Sequence, residues 1–392
     1  MGQMMTGFCL PATVHPQNDL IHLETGAPPF EVPEDLERAV NQAVALDEWT
    51  EYPPLHGLPA LQEAIAAWHR DELCLDHTSE NILITYGAMQ AVFDVCTCEL
   101  KAGDEVLLPA PYWFQFPQIL KYTQADLTVI PTSPELDFKL TPEQLEQAIT
   151  PRTRMLILTN PNNPTGSIYT KAEMDGLMAV MRAHPDILIL SDEAYNMCLF
   201  QGQAGACAGP GRGDGLQDRV FIVNSLSKNF GLAGLRIGYL AGEKEAIARI
   251  GQRQRFATLG VNLRLQQVAL NLWQDRTRIV SCLKEKLLAR RAHAAELMRE
   301  FPMFQVREPE AGYYYFADVS AWLGSYAPDG TAILTDEDLA AYLEKEAGVV
   351  VMTGTVCGMP GYLRMTFALP EDQFAQALER MSAPLRRLRL PN

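Results

Sequence analysis

Residues 225–239 read SLSKNFGLAGLRIGY. The apolar run RVFIVNSLS (219–227) leads into them and predicts a buried strand. Lys228 follows at the end of that strand, then a glycine-punctuated loop, then Arg236. A lysine at the end of a buried strand is out of place, because burying an ammonium is costly unless it is paired or neutral. A lysine condensed with a carbonyl compound as an imine escapes that cost. The hydroxyls of Ser225 and Ser227 and the charged fork of Arg236 are donors suited to a phosphate. Taken alone, the segment is equally compatible with a surface lysine in a serine-rich loop.

Four other segments bear on that choice. In TYGAMQAVFDV (85–95), Gly87 and Ala88 open a helix directly after the strand ILIT (82–85), and Met89 follows. Their N–H groups would face an anion at the positive end of the helix dipole, although a single glycine at such a turn is common. In PAPYWFQFP (109–117), Trp113 suits stacking on a flat ring or plain core packing. In LTNPNNPTG (158–166), a strand runs into a tight turn that would aim the Asn163 amide at a ring substituent; turn chemistry alone also explains Asn-Pro pairs. In ILSDEAY (189–195), Asp192 ends an apolar strand. A carboxylate there calls for a cation, such as a protonated ring nitrogen, unless it is an ordinary N-cap. All five segments fall at the C-terminal ends of predicted strands, where open α/β sheets bind ligands. Together they point to one flat, phosphorylated ligand with a cationic ring.

Short apolar runs alternating with helical stretches predict a buried, mostly parallel sheet flanked by helices. From about Val280 the pattern changes: a long charged helix, then YYYFADV, VVVMTG and YLRMTFAL as strands, predicts a smaller α+β domain. At 392 residues and 47% hydrophobic content, two domains are expected. The boundaries read as 1–45 for an N-terminal arm with part of the small domain, 46–280 for the large ligand-binding domain and 281–392 for the small C-terminal domain. Helices are expected over 33–45 and 58–73, and the last helix, from near Glu371, should end or kink before Pro384. The Gly/Pro-rich stretch 203–216 reads as a loop inside the large domain, a surface insertion by default, with a mobile element near the site as the alternative.

The formal net charge of -16 argues against a nucleic-acid backbone as partner. The eight scattered cysteines form no CxxC pair and read as reduced packing thiols. No metal is expected. The first residues show no basic and apolar leader, and no apolar run is long enough to span a membrane, so a cytoplasmic protein is expected.

At this point the chain resembles the fold-type I pyridoxal-phosphate enzymes, specifically the class I aminotransferases that include aspartate aminotransferase. SLSKNFGLAGLR, NPNNPTG and DEAY carry the resemblance, which extends from LETGAPPF to YLRMTFALP. It implies a seven-stranded-type, mostly parallel sheet in the major domain, with pyridoxal 5'-phosphate as cofactor. Lys228 would be the Schiff-base and proton-shuttle residue. Asp192 would pair with the pyridine nitrogen, Tyr195 and Asn163 would hydrogen-bond the ring oxygen, and Trp113 would stack on the ring. Ser225, Ser227, Arg236, Gly87, Ala88 and Met89 would cradle the phosphate, mainly through backbone donors at the Gly-Ala-Met turn. Tyr52 would reach the phosphate of a partner subunit in a homodimer with shared active sites. Arg364 would clamp the substrate carboxylate, a task for Arg rather than Lys, with Gly26 against it.

Thr25, Glu51 and His56 crowd the regions expected near the substrate and are read as candidates for its side chain; for His56, packing is the alternative. The segment RFATLGVNLRLQQ (255–267) departs from the Ser/Asn-Pro pattern usual where the partner completes the site. Arg253, Arg255 and Arg264 are the candidates there for reading a second carboxylate, with ordinary surface charge as the alternative. The implied activity is amino-group transfer between an L-amino acid and a 2-oxo acid. The competing reading keeps the cofactor but eliminates, replaces or cyclises an amino acid. A regulator built on the same fold would need a DNA-binding region, and no basic helix-turn-helix segment is seen.

Overall fold

The computed structural model describes residues 20–26, 52–200 and 208–389, together with Glu37 and Asn41. Of the helix expected over 33–45, only Glu37 and Asn41 are described, and both are helical. The chain divides into two compact units: residues 27–289 with 308–314, and residues 1–26, 290–307 and 315–392. The division at 289/290 falls inside the helix Arg276–Glu300.

The larger unit is built on a seven-stranded sheet. Its strands are β2 (Ile82–Thr85), β3 (Glu105–Ala110), β4 (Asp126–Pro131), β5 (Thr153–Thr159), β6 (Leu188–Asp192), β7 (Val220–Ser225) and β8 (Gly238–Ala241), in the spatial order β2-β8-β7-β6-β5-β3-β4. β8 pairs antiparallel with both β7 and β2; the remaining pairs are parallel. The chain passes from β7 to β8 through residues 226–237, which include the short helix Leu226–Asn229, and β8 runs opposite to both of its neighbours. As a result Thr85, Ala110, Thr159, Asp192 and Ser225 all end on one edge of the sheet, and Gly238 begins there, between Thr85 and Ser225.

Both faces of the sheet are buried, which is why its strands read as unbroken apolar runs. Leu156, Leu158, Ile189 and Ile222 pack into one core, with Trp68, Trp273 and Met178. Met155, Ile157, Leu190 and Val223 pack into the other, with Val92, Phe116 and Ile247. Each such side chain contributes about 1.5–3 kcal/mol on burial. The helix α1 (Pro59–Leu73) starts with proline in its first turn, where the missing N–H costs nothing. The helix α2 (Ala88–Glu99) begins at Gly87, whose φ of 80° is open to glycine.

In the smaller unit, β1 (Ile21–His22) pairs parallel with Val349–Val350. Strand Met352–Thr353 pairs antiparallel with Tyr362–Thr366, which in turn neighbours Tyr314–Asp318. The helix Asp336–Ala347 opens on a capping box of Thr335 and Asp338. The last helix, Glu371–Arg387, does not end before Pro384: it passes through that residue to Arg387. Its buried stripe of Phe374, Ala377, Leu378, Met381 and Leu385 continues past the proline, so packing outweighs one lost hydrogen bond. The Tyr342 hydroxyl donates to the Pro384 carbonyl at 3.1 Å.

Candidate active site

Lys228 lies in the four-residue helix Leu226–Asn229 that follows β7. Ser225 caps this turn, its Oγ accepting from the Ser227 N–H at 3.1 Å. The Cys198 thiol donates to the Lys228 carbonyl at 3.4 Å. Asp192, at the end of β6, is buried. Desolvation pushes its carboxyl up to about 6; the Ala194 N–H, bonded at 3.1 Å, pulls it back, Glu193 raises it and the Lys228 ammonium lowers it. A buried carboxylate held this far from its ordinary range is one that a cation would stabilise.

The phosphate-binding candidates converge at the same edge. Arg236 adopts the left-handed conformation, φ 54°, and its Nη2 would lie 2.9 Å from a Cβ placed on Gly87. The guanidinium thus lies over the start of α2. A Cβ on Gly238 would meet the Asn224 carbonyl at 2.6 Å and the Ala88 nitrogen at 2.8 Å, so a bare backbone lets the two turns close together. Ser227 Oγ is buried and has no hydrogen-bond partner among the described residues. An orphaned buried hydroxyl in the turn that follows β7 suits a phosphate oxygen. Met89 is half-exposed on the first turn of α2.

The ring candidates lie on the segments that follow β3, β5 and β6. The Tyr195 hydroxyl is 3.1 Å from that of Tyr314, and the Tyr195 ring meets Tyr313 edge-on at 5.6 Å. Asn163 is buried in its turn. Asn162 holds that turn by accepting from the Thr165 N–H at 3.1 Å and donating to the Pro111 carbonyl at 3.2 Å, which ties it to the loop carrying Trp113. Trp113 is half-buried and meets Phe116 edge-on at 5.3 Å.

Other candidates fall elsewhere. Arg364 is buried in the smaller unit and donates from Nη2 to the Glu24 carbonyl at 2.6 Å, next to Thr25 and Gly26 in the chain. Tyr52 is 82% exposed. Glu51 lies outside the described residues. The His56 ring packs so closely on Gly251 that a Cβ there would lie 2.1 Å from it, and its carbonyl accepts from the Ile84 N–H at 2.9 Å. Arg253 donates to the Thr97 carbonyl, Arg255 is exposed, and Arg264 is buried near the start of the helix Leu263–Gln274.

Sequence reasoning missed a buried polar network behind the lysine turn. Glu193 pairs with Arg212 and accepts from the Ser191 hydroxyl at 3.0 Å and from the Asn196 amide at 3.4 Å. Asn196 in turn accepts from Asn224 at 3.1 Å and Asn229 at 3.3 Å, and Asn224 accepts from Asn229 at 2.8 Å. The available signal was a set of polar residues within runs otherwise reading as core: Glu193 and Asn196 after β6, Asn224 and Asn229 around Lys228. Tyr313 and Tyr314, read only as strand residues, were the other omission.

The sequence model of the family "Aminotransferase class I and II" matches residues 18–381. The chain is 32% identical over 368 residues to an aspartate/prephenate aminotransferase of Cereibacter sphaeroides, covering 93% of this chain and 91% of the relative. It superposes on the aspartate aminotransferase of Thermus thermophilus solved with maleate at a TM-score of 0.84, with 32% identity over 93% of this chain and 91% of that one. An aromatic aminotransferase of Pyrococcus horikoshii superposes at 0.86, with 26% identity and 95% and 96% coverage. With its cofactor-type edge and a family match across nearly its whole length, the chain belongs to the class I and II aminotransferases and is a pyridoxal-phosphate-dependent enzyme that transfers amino groups between amino acids and 2-oxo acids.

Proposed function

We propose that Lys228 carries the cofactor and that the residues gathered at the sheet edge hold it. The observation that supports this most is the buried Asp192 carboxylate within electrostatic reach of Lys228. Asp192 would accept a hydrogen bond from the protonated ring nitrogen and keep it cationic, and Tyr195 and Asn163 would direct their donors at the ring oxygen. Trp113 would cover one ring face and exclude water. Ser225, Ser227, Arg236 and the N–H groups from Gly87 to Met89 would hold the phosphate. When bound, pyridoxal phosphate supplies the electron sink that lets an α-proton leave. The Lys228 amine moves that proton, first as general base at the substrate α-carbon and then as acid. Arg364, with Thr25 and Gly26 beside its carbonyl contact in the chain, is the guanidinium assigned to the α-carboxylate; its planar fork suits a bidentate hold. The relatives' names favour aspartate, prephenate or an aromatic amino acid as substrates, and buried Arg264 is the candidate proposed for a second carboxylate.

The working form is proposed to be a homodimer. Tyr52, Phe256 and Leu259 are exposed large side chains, at 82%, 88% and 47%, and the turn at Gly260 lies against Pro53 and Pro54. They therefore flank one contact, and an apolar patch of this kind calls for cover. Tyr52 would then serve the partner's phosphate. We place the protein in the cytoplasm: the described cysteines are all free thiols, and no described helix is long and apolar enough to cross a membrane.

Borohydride reduction and peptide mapping should leave a pyridoxyl group on Lys228. Mixing with a single amino acid should convert the cofactor to its amine form, reversed by a 2-oxo acid. A label on another lysine would overturn the site, and ammonia release without that reversal would favour elimination.

A further inference from the structure

The glycine-rich stretch ending at 216 was read as a surface insertion. Its described part, residues 208–216, instead delivers a guanidinium into the protein. Asp214 ties the turn by accepting from the Gly211 N–H at 2.8 Å and the Leu216 N–H at 2.9 Å. Gly211, Gly213 and Gly215 all have positive φ. A Cβ on Gly209 would lie 2.7 Å from Arg212 Cζ and 2.8 Å from Glu193 Oε1, so the missing side chain lets the pair close. The Arg212 and Glu193 side chains retain only 10% and 2% of their exposure. Charges this deep are retained at a cost, and a buried pair is weak evidence for stability alone.

The pair meets two parts of the candidate site. Glu193 directly follows Asp192 in sequence. It also accepts from Asn196, whose Oδ1 receives the amides of Asn224 and Asn229. Those two asparagines flank the lysine turn: Asn224 Oδ1 accepts from the Ser225 N–H at 2.7 Å, and Asn229 Oδ1 from the Met197 N–H at 3.2 Å. Beyond the pair, the Tyr239 hydroxyl is 3.0 Å from His69 Nε2, and His69 Nδ1 is 2.9 Å from His77 Nδ1. Burial first, then His77 and Arg212, hold His69 well below its ordinary range, so it is neutral and adds no charge to meet Glu193.

We propose that Arg212 is a positioning residue for amino transfer: it neutralises Glu193, so that Asp192 and the Asn196–Asn224–Asn229 scaffold hold the ring nitrogen and Lys228 in their working arrangement. This rests on the reading of Lys228 and Asp192 given above. In this role Arg212 acts through Glu193 rather than on the substrate itself.

The test titrates the visible band of the cofactor-loaded protein against pH, together with kcat and KM. In wild type, a reducible cofactor on Lys228 establishes the underlying reading first; its absence would fail that reading, not this one. In Arg212→Met, an uncompensated negative charge near the lysine favours the protonated form of the cofactor linkage. The transition should move to higher pH by about 0.5 or more, and kcat should fall about tenfold with KM changed less than about threefold. In the double variant Glu193→Gln/Arg212→Met the charge is gone, while the Gln oxygen can still accept from Ser191 and Asn196; transition and kcat should return to within about threefold of wild type. A single variant that titrates and turns over like wild type at equal cofactor content overturns the proposal. So does a double variant displaced from wild type by as much as expected for the single one, a comparison that remains decisive if Arg212→Met does not fold.

Discussion

Replacing Asp192 by Asn should stabilise the cofactor-free protein at alkaline pH while weakening its grip on the cofactor. The carboxyl is pushed from 3.8 to about 6, chiefly by desolvation. A difference of about two pH units at ~1.4 kcal/mol each corresponds to about 3 kcal/mol. The sign follows from which state binds the proton more tightly. The folded value is the higher one, so the penalty is absent below 3.8, grows up to about 6 and is complete above it. Asn is nearly isosteric and its Oδ1 can still accept from the Ala194 N–H, so shape and that bond survive. Cofactor-free Asp192→Asn should therefore unfold at higher denaturant or temperature than wild type at pH 8, by up to about 3 kcal/mol, with the gap closing toward pH 4. Pyridoxal phosphate should reverse the order, because only the carboxylate gains from a cationic ring nitrogen. Paired unfolding curves at pH 4 and pH 8, with and without cofactor, measure all four quantities. A gap that does not change with pH, or a variant less stable than wild type at pH 8 without cofactor, would refute the argument that burial of this charge is held in reserve for the ligand.

Lys228→Ala should fold and bind pyridoxal phosphate non-covalently yet lose about 10²–10⁴-fold in α-proton exchange, measured by deuterium loss from the substrate. Gly238→Ala should separate the Ala88 and Ser225 turns; overpacking of ~1–3 kcal/mol should appear as a lower melting temperature and weaker cofactor binding in titration. Tyr195→Phe should cost about 1 kcal/mol of stability through loss of its hydroxyl contact with Tyr314 and should shift the pH dependence of the cofactor band, read by absorbance.

Much of the site was legible before any coordinates. The motif residues sit at strand ends, and a strand buried on both faces announces itself as an unbroken apolar run. Polar residues that interrupt such runs, Asp192 and Lys228 among them, stand out because their burial is costly without a partner. Residues 59–73 and 88–99 were legible as helices for a related reason: apolar spacing and a Pro or Gly at the start are local features.

Other features required contacts between distant parts of the chain. Nothing near His56 in sequence shows that its ring will rest on Gly251, nor does anything near Pro384 show that a buried stripe will carry the helix past it. The glycines around Arg212 look like those of any surface loop; only the folded chain brings that guanidinium to Glu193, nineteen positions away. The order of β8 between β2 and β7, which places Gly238 beside Ala88, was likewise decided in three dimensions. The sequence by itself determined which side chains could do the chemistry, because composition and period are local. The tertiary structure decided which of them meet, because burial and charge pairing are settled between segments that the chain keeps apart.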